Sequence, residues 1–325
     1  MEKKEKEKKP LSVIDVLSGG FEIVVRQPWV LLIPIALDFF LWLGPQINAK
    51  PVFQQILALL NASMTSAPPE TLQNLDQFKS ALQTTGDRFN VFGFIALLSI
   101  GVPSLIGVEP PPDDLPHTVL FAVGDGAALL AWVMLFAVIG MFIGSVYLES
   151  IARGVRRDTA GARTFAPRVV TAYLNVILLL VLGIVAMMLF MVPFAFGATL
   201  VSLINPALGS FMVFAGSLLI LWAALYLAFV IPAIFVSGAN APQAVLNSIA
   251  VFRSSFWSAL GLIFLIYLIQ MGFSIIWEQF LASTWGVTLG IVGNAFLGSG
   301  LIAAAMVFYR DRFASLTEAR EQRKV

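Results

Sequence analysis

The sequence predicts an all-α polytopic membrane protein. The expected architecture is six transmembrane helices in three hairpins, with amphipathic elbow helices in the interface and one re-entrant or interfacial segment. Three observations predict it. Hydrophobic residues make up 58% of the 325 residues and charged residues 12%, with a mean hydropathy of +0.88. A soluble domain carries about 25% charged residues. The apolar residues fall in runs as long as the ~20 residues that a bilayer core requires. Most of the Lys and Arg fall in segments that six spans would leave on one side.

Residues 1–10, MEKKEKEKKP, read as a disordered charged tail. Residues 11–26 place Val13, Val16, Leu17, Gly20, Phe21 and Val24 on one helical face, the pattern of a helix lying in the interface. Pro28 and Trp29 open the first span, 28–46, with the indole suited to headgroup level. Residues 47–117 form an outer-side cap. Two amphipathic helices are expected in it, at 51–62 and at 71–83, the second with Leu72, Leu75, Phe78 and Leu82 on one face. Residues 90–108 are apolar but interrupted by Gly93, Gly101, Pro103 and Gly107. The acidic loop EPPPDDLPH follows.

Further spans are expected near 118–148, 169–199, 206–238, 256–277 and 285–309, with kinks at Pro193 and Pro232. Residues 11–309 count as a single transmembrane domain. Residues 310–325 are a charged helical tail. The first apolar run sits behind a Lys/Glu tract and has no small-residue cleavage site after it, so a cleavable signal peptide is not expected.

Charge decides the count. With six spans, 17 of the 20 basic residues share the side of both termini, and only Lys50, Lys79 and Arg88 lie opposite. If 90–108 also crossed, the best division would be 14 against 6, with the lysine-rich tail outside. The positive-inside rule favours six spans with both termini in the cytoplasm. Segment 90–108 must then be covered by protein or a wet cavity, because lipid cannot satisfy irregular backbone.

Residues 12–29 and 241–257 look alike. Each is an amphipathic helix with small residues in its first half, then an Arg, then a Trp, then a span. Residues 164–175 make a weaker third copy. The repeat suggests three units, each an elbow helix plus a hairpin, although any amphipathic helix feeding a span shares this pattern. The opening LSVIDVLSGGFEIVVRQPWVLLIPIALDFFLWLGP resembles the start of uncharacterised bacterial six-span inner-membrane protein families. These are loosely akin to the membrane domain fused to some glycerophosphodiester phosphodiesterases. The likeness covers residues 12–45 well and the remainder in outline. It implies the fold and a cytoplasmic (inner) membrane location. No phosphodiesterase domain accompanies it here, so that activity is not implied.

Several function classes are excluded. With no cysteine, disulfides, thiolate metal sites and cysteine nucleophiles are impossible. A single histidine, His117, rules out multi-His metal sites and reads as an ordinary loop residue. No cofactor or metal is expected, and a net charge of +1 gives no reason to expect nucleic acid. Asn61-Ala62-Ser63 matches a glycosylation sequon of low specificity.

Within the spans, Asp38 lies near mid-run and Asp125 in the outer half of its span. A charge at that depth costs about 2.5–3.5 kcal/mol on insertion scales, so each is a functional candidate. Two readings stand. Both carboxyls line one polar cavity that binds a cation or shares a proton, or each is a hydrogen-bonded packing residue or one reached by water. Asn175, Gln270 and Asn294 would complete a solute site, or hydrogen-bond neighbouring helices as glue. The GxxxG pairs Gly140/Gly144 and Gly286/Gly290 allow close approach, within the bundle or to a partner chain. Residues 286–300 are rich enough in glycine to require a tightly packed neighbour. Arg153, Arg156, Arg157, Arg163 and Arg168 form the densest basic cluster, a candidate for anionic lipid headgroups or simply the topology determinant.

The expected role is a non-catalytic integral membrane protein: an accessory, assembly or lipid-organising component. General acid–base work needs at least two positioned titratable groups; the spans offer only Asp38 and Asp125, and the sequence around neither supplies the motif of an intramembrane aspartate pair. Its partners would be the lipid bilayer and another membrane protein or a second copy of itself. The alternative is a transporter of a small solute, ion or lipid, with a site around Asp38 and Asp125.

Overall fold

A computed structural model of the chain describes residues 10–63, 69–107, 118–158, 162–281 and 283–322. The tail at 1–9 and the acidic loop with His117 lie outside the described residues. The described residues are mostly helical, with one two-stranded ladder. Five helices among the described residues are long and apolar enough to cross a membrane, or six if Val13–Arg26 and Pro28–Leu43 together form one bent span. The protein is a multi-pass membrane protein of the all-α class. Two compact units are formed, one from 1–30, 145–273 and 296–325, the other from 31–144 and 274–295.

The first unit begins with helix α1, Val13–Arg26. The Ser12 hydroxyl accepts the Asp15 N–H, and the Asp15 carboxylate accepts the Ser12 N–H, so a complete capping box starts the helix. The apolar stripe expected at 11–26 buries Val16, Gly20 and Val24. Pro28 disfavours helical backbone at Gln27, and α1 ends there.

Helix α12, Thr284–Gln322, carries the expected tail at 310–325 as its continuation. It supplies the face that α1 packs on: a Cβ at Gly20 would meet the Ala304 nitrogen at 2.5 Å and the Gly300 carbonyl oxygen at 2.6 Å. Only glycine permits that approach. At the other end of α1, the Leu11 N–H donates to Asp311 at 3.1 Å and Arg312 donates to the Leu11 carbonyl at 2.9 Å.

The same unit holds a long hairpin of α7, Ala162–Ile204, and α8, Pro206–Leu227. Asn205 turns the chain by capping α8, its side chain accepting from Ala207 and Leu208. The helix α7 runs on through Pro167 and Pro193. At 43 residues, α7 is about 64 Å long at 1.5 Å per residue, roughly twice a bilayer core. Its surface is apolar and open along most of its length, Ile204 being 88% exposed, so lipid is its natural solvent.

After α8 the helix breaks at Ala228–Phe229 and resumes as α9, Val230–Ser237. The break stands four residues before Pro232, whose missing N–H leaves the Ala228 carbonyl without its helical donor. Ser248 repairs part of it, donating to the Tyr226 carbonyl and accepting the Phe229 N–H. Gly238, at φ +65°, ends α9 in the left-handed region. Helix α10, Ala241–Ser254, follows behind an Asn240 cap, and α11, Phe256–Phe280, follows Ser255.

Helices α1 and α10 are each 14 residues long, side-chain capped, and closed by an Arg in the last turn. The third proposed copy differs. Residues 164–175 run without a break inside α7, through Pro167.

The second unit contains α2, Leu32–Leu43; α3, Lys50–Ser63; α4, Pro69–Arg88; and the short α5, Gly93–Leu98. Helices α3 and α4 occupy the two amphipathic stretches expected at 51–62 and 71–83. Residues 90–107 form no spanning helix: α5 lasts six residues and gives way to turns at Ser99–Gly101.

The expected span at 118–148 needs correction. Its first residues form strand β2, Val119–Ala122, parallel to β1, Gln46–Asn48. Helix α6, Gly126–Arg156, starts only after Gly124 and Asp125. The backbone of 119–122 finds its donors and acceptors on β1, some 70 residues earlier, and so has no need of a helix.

The GxxxG pair of α6 is used within the chain. A Cβ at Gly140 would lie 2.6 Å from the Ile95 carbonyl oxygen, and one at Gly144 would lie 2.8 Å from that of Ile100. The pair seats the backbone of 95–100 directly on the helix. In the stretch 286–300, Gly290 faces Leu105 and Gly293 faces the Trp277 ring.

Candidate functional site

Asp38 lies on α2 among Pro34, Leu37, Leu41 and Trp42 and is fully buried. Its carboxylate accepts hydrogen bonds from one short stretch of chain. Ser104 Oγ donates to Oδ1, the Leu105 N–H donates to Oδ2 at 2.8 Å, and the Ile106 N–H reaches Oδ1 at 3.4 Å. Ser104 Oγ in turn accepts the Gly107 N–H at 3.1 Å. Backbone that leaves a helix at membrane depth exposes donors that lipid cannot satisfy. Asp38 supplies the acceptors. Its geometry is that of a clamp on 104–106.

Asp125 is not inside a span. It stands one residue before α6, exposed, and its side chain accepts the Ala127 N–H at 3.2 Å while its carbonyl accepts from Leu129. Asp125 caps the helix start, where a carboxylate meets the positive end of the helix dipole. Asp38 and Asp125 are held by different stretches of backbone. Asn294 is buried on α12 in the same unit as both. Asn175 and Gln270 belong to the other unit. Gln270 is exposed on α11.

Asn175 has a defined role. Its Nδ2 donates to the Thr171 carbonyl at 2.9 Å, and its Oδ1 accepts the Ala241 N–H at 2.9 Å. It thereby joins α7 to the first turn of α10, where a helix has an N–H with no partner of its own.

Asn175 also lines a cavity of about 320 Å³ in the first unit, formed by the end of α6, the start of α7 and the α9–α10 turn. Glu149 and Arg156 meet on its wall. They lie seven residues apart on α6, two turns along one face. Arg156 donates to both Glu149 oxygens, at 2.5 Å from Nη2 and 3.4 Å from Nη1, and its Nη1 also donates to the Phe235 carbonyl. The Glu149 side chain is 3% exposed and that of Arg156 17%. The buried Nε of Arg156 has no acceptor among the described residues. Arg168, on α7, lines the same cavity and pairs with Asp158.

The five-arginine cluster is thus divided. Arg156 and Arg168 line the cavity. Arg153 is half-buried on α6 and engaged elsewhere. Arg157 occupies the left-handed turn after α6, at φ 55°. Arg163 is exposed at the start of α7.

Sequence reasoning passed over Glu149. The usable signal was an acid inside VYLESIARGVR with an arginine two turns later. No group of three or more metal-ligating side chains occurs among the described residues. Comparison with protein-family models, curated proteins and solved structures gives no match.

Proposed function

We propose that this multi-pass protein is a non-catalytic component of a bacterial cytoplasmic membrane, acting as an accessory, assembly or lipid-organising protein. In this reading six spans leave both termini in the cytoplasm, α1 and α10 lie in the interface as elbows, and 90–108 folds back on the outer side. The observation that carries it is the use made of Asp38. The acid at the centre of the first apolar run accepts from the Ser104 hydroxyl and from the backbone N–H groups of Leu105 and Ile106. A carrier would need that group free to exchange partners. The transport alternative also asks Asp125 to share a cavity with Asp38, whereas Asp125 caps α6.

The test is native mass spectrometry of the chain extracted with its surrounding lipids. A stoichiometric protein partner or a defined set of retained lipids supports the proposal. Solute flux through the reconstituted chain that Asp38→Asn abolishes, with folding intact, would overturn it in favour of transport.

A further inference from the structure

The geometry points to a binding site for a phosphate ester in the cavity between α6, α7 and the α9–α10 turn. The inference rests on the non-catalytic, lipid-organising reading and gives it a place on the chain.

Four features support it. The first is charge. Glu149 and Arg156 cancel on the cavity wall, while Arg168 lines the cavity and its Asp158 partner does not. Both ion pairs are neutral as wholes, and of the second it is the guanidinium, not the carboxylate, that lines the interior where an anion would lie. The second is donor supply. Guanidinium groups recognise phosphate with paired N–H donors. Arg156 keeps a buried Nε–H without an acceptor, and Arg168 is only half-buried.

The third is the apolar share of the lining. Pro167, Ile234 and Phe235 contribute it, and about 320 Å³ is far more than one phosphate group fills. An occupant that carries carbon beside its phosphate suits this mixed lining. The fourth is position. Arg156 ends the long apolar helix α6, and Arg168 stands at the start of the apolar run of α7, where lipid headgroups lie.

A phospholipid headgroup and a soluble phosphate ester share this chemistry, and the experiment separates them. The full chain is reconstituted in nanodiscs of phosphatidylcholine, with or without a minority of phosphatidylglycerol. Thermal stability and bound lipid are then measured by native mass spectrometry. The expected result is one retained phosphatidylglycerol per chain and a raised Tm. The double variant Asp158→Asn/Arg168→Gln removes both charges of the rim pair. It should weaken that binding roughly tenfold, the worth of one charge-assisted hydrogen bond. Arg163→Gln, outside the cavity, should leave it unchanged.

Should inorganic phosphate in phosphatidylcholine discs displace the lipid and give the same stabilisation, the phosphate site stands and its occupant is a soluble ester. Unchanged lipid binding by the double variant overturns the site. So does an equal loss in Arg163→Gln, because the attraction would then be general surface charge. If the double variant fails to fold, Arg168→Lys keeps the charge but loses the paired donors; wild-type binding by that variant likewise overturns the proposal. A chain that retains its membrane lipids or partners but ignores phosphatidylglycerol sinks the site alone. Solute flux sinks the parent reading, and the binding series still decides the site.

Discussion

The Asp38 carboxylate accepts the Leu105 N–H at 2.8 Å across 67 residues of sequence. With Ser104 and Ile106 it holds an irregular turn against a helix that would otherwise face it with hydrocarbon. Asp38→Ala should therefore destabilise the protein by about 3 kcal/mol, since it strands buried donors costing roughly 1–3 kcal/mol each. Asp38→Asn should cost less but still lower the melting temperature, because its amide group is a donor set among donors. Thermal unfolding in detergent checks both. A gain in stability for Asp38→Asn would show that the carboxylate is strained in place and held for another purpose.

The GxxxG face of α6 makes a separate prediction. A Cβ at Gly144 would lie 2.8 Å from the Ile100 carbonyl oxygen and 2.9 Å from its nitrogen, closer than real Cβ atoms approach backbone. Gly144→Ala should cost about 1–3 kcal/mol through backbone displacement. If the glycine face instead served a partner chain, the substitution would alter oligomeric state with little effect on monomer melting. Size-exclusion with light scattering, run beside the melt, separates the two.

The parts of this fold that were legible in the sequence are those written locally. The stripe through Val16, Gly20 and Val24 announces α1. The interruptions at Gly101 and Pro103, with the balance of basic residues, point to a 90–108 segment that does not cross as one helix. Strand β2 was not legible, because its stability comes from β1, far away in sequence; read alone, Val119–Ala122 looks like the first turn of the next span. Asp125 was misplaced for the same reason: once β2 is taken as helix, its cap falls inside the helix. The cavity was hidden because two of its walls come from α6 and α7 and the third from a turn after a proline-induced break. The pairing of Glu149 with Arg156 needed only helical spacing, but a search for unpaired intramembrane charge looks past an acid that has a partner.

That pair gives a non-additive prediction. Removing one member of a buried ion pair leaves an uncompensated charge and typically costs 3–5 kcal/mol, while replacing both can be close to neutral. Glu149→Gln should destabilise the chain by about 3 kcal/mol. Glu149→Gln/Arg156→Met should recover most of that loss. A double-mutant cycle on melting temperature measures the coupling. Simple addition of the two single effects would mean the side chains are held independently by the cavity wall.

The start of α1 should respond to pH. Asp15 is held below the usual carboxylate range, first by the Ser12 hydroxyl and then by the Ser12 N–H. A depressed folded-state value means the carboxylate favours the helix above the ordinary pKa and loses that contribution as pH falls through the depressed one. The first turn of α1 should fray below about pH 4 and not at neutral pH. Amide hydrogen exchange at Val13–Asp15, followed from neutral to acid pH, reads this directly. Asp15→Asn should remove the pH dependence, and a variant that keeps it would place the titrating group elsewhere.

Arg157 sits in the left-handed region at φ 55°, where its N–H closes the end of α6 on the Gly154 carbonyl at 3.1 Å. A helix end of this geometry usually takes glycine, because a Cβ there is strained by about 1 kcal/mol. Arg157→Gly should therefore stabilise α6 by up to about 1 kcal/mol in the folded state, less what glycine adds to the freedom of the unfolded chain. The side chain is exposed and belongs to neither wall of the cavity. If Arg157 serves only to set the basic side of the membrane, the glycine variant should be more stable and should bind phosphatidylglycerol as the wild type does. A stable variant that binds it markedly less would move the headgroup contact out of the cavity and onto this turn.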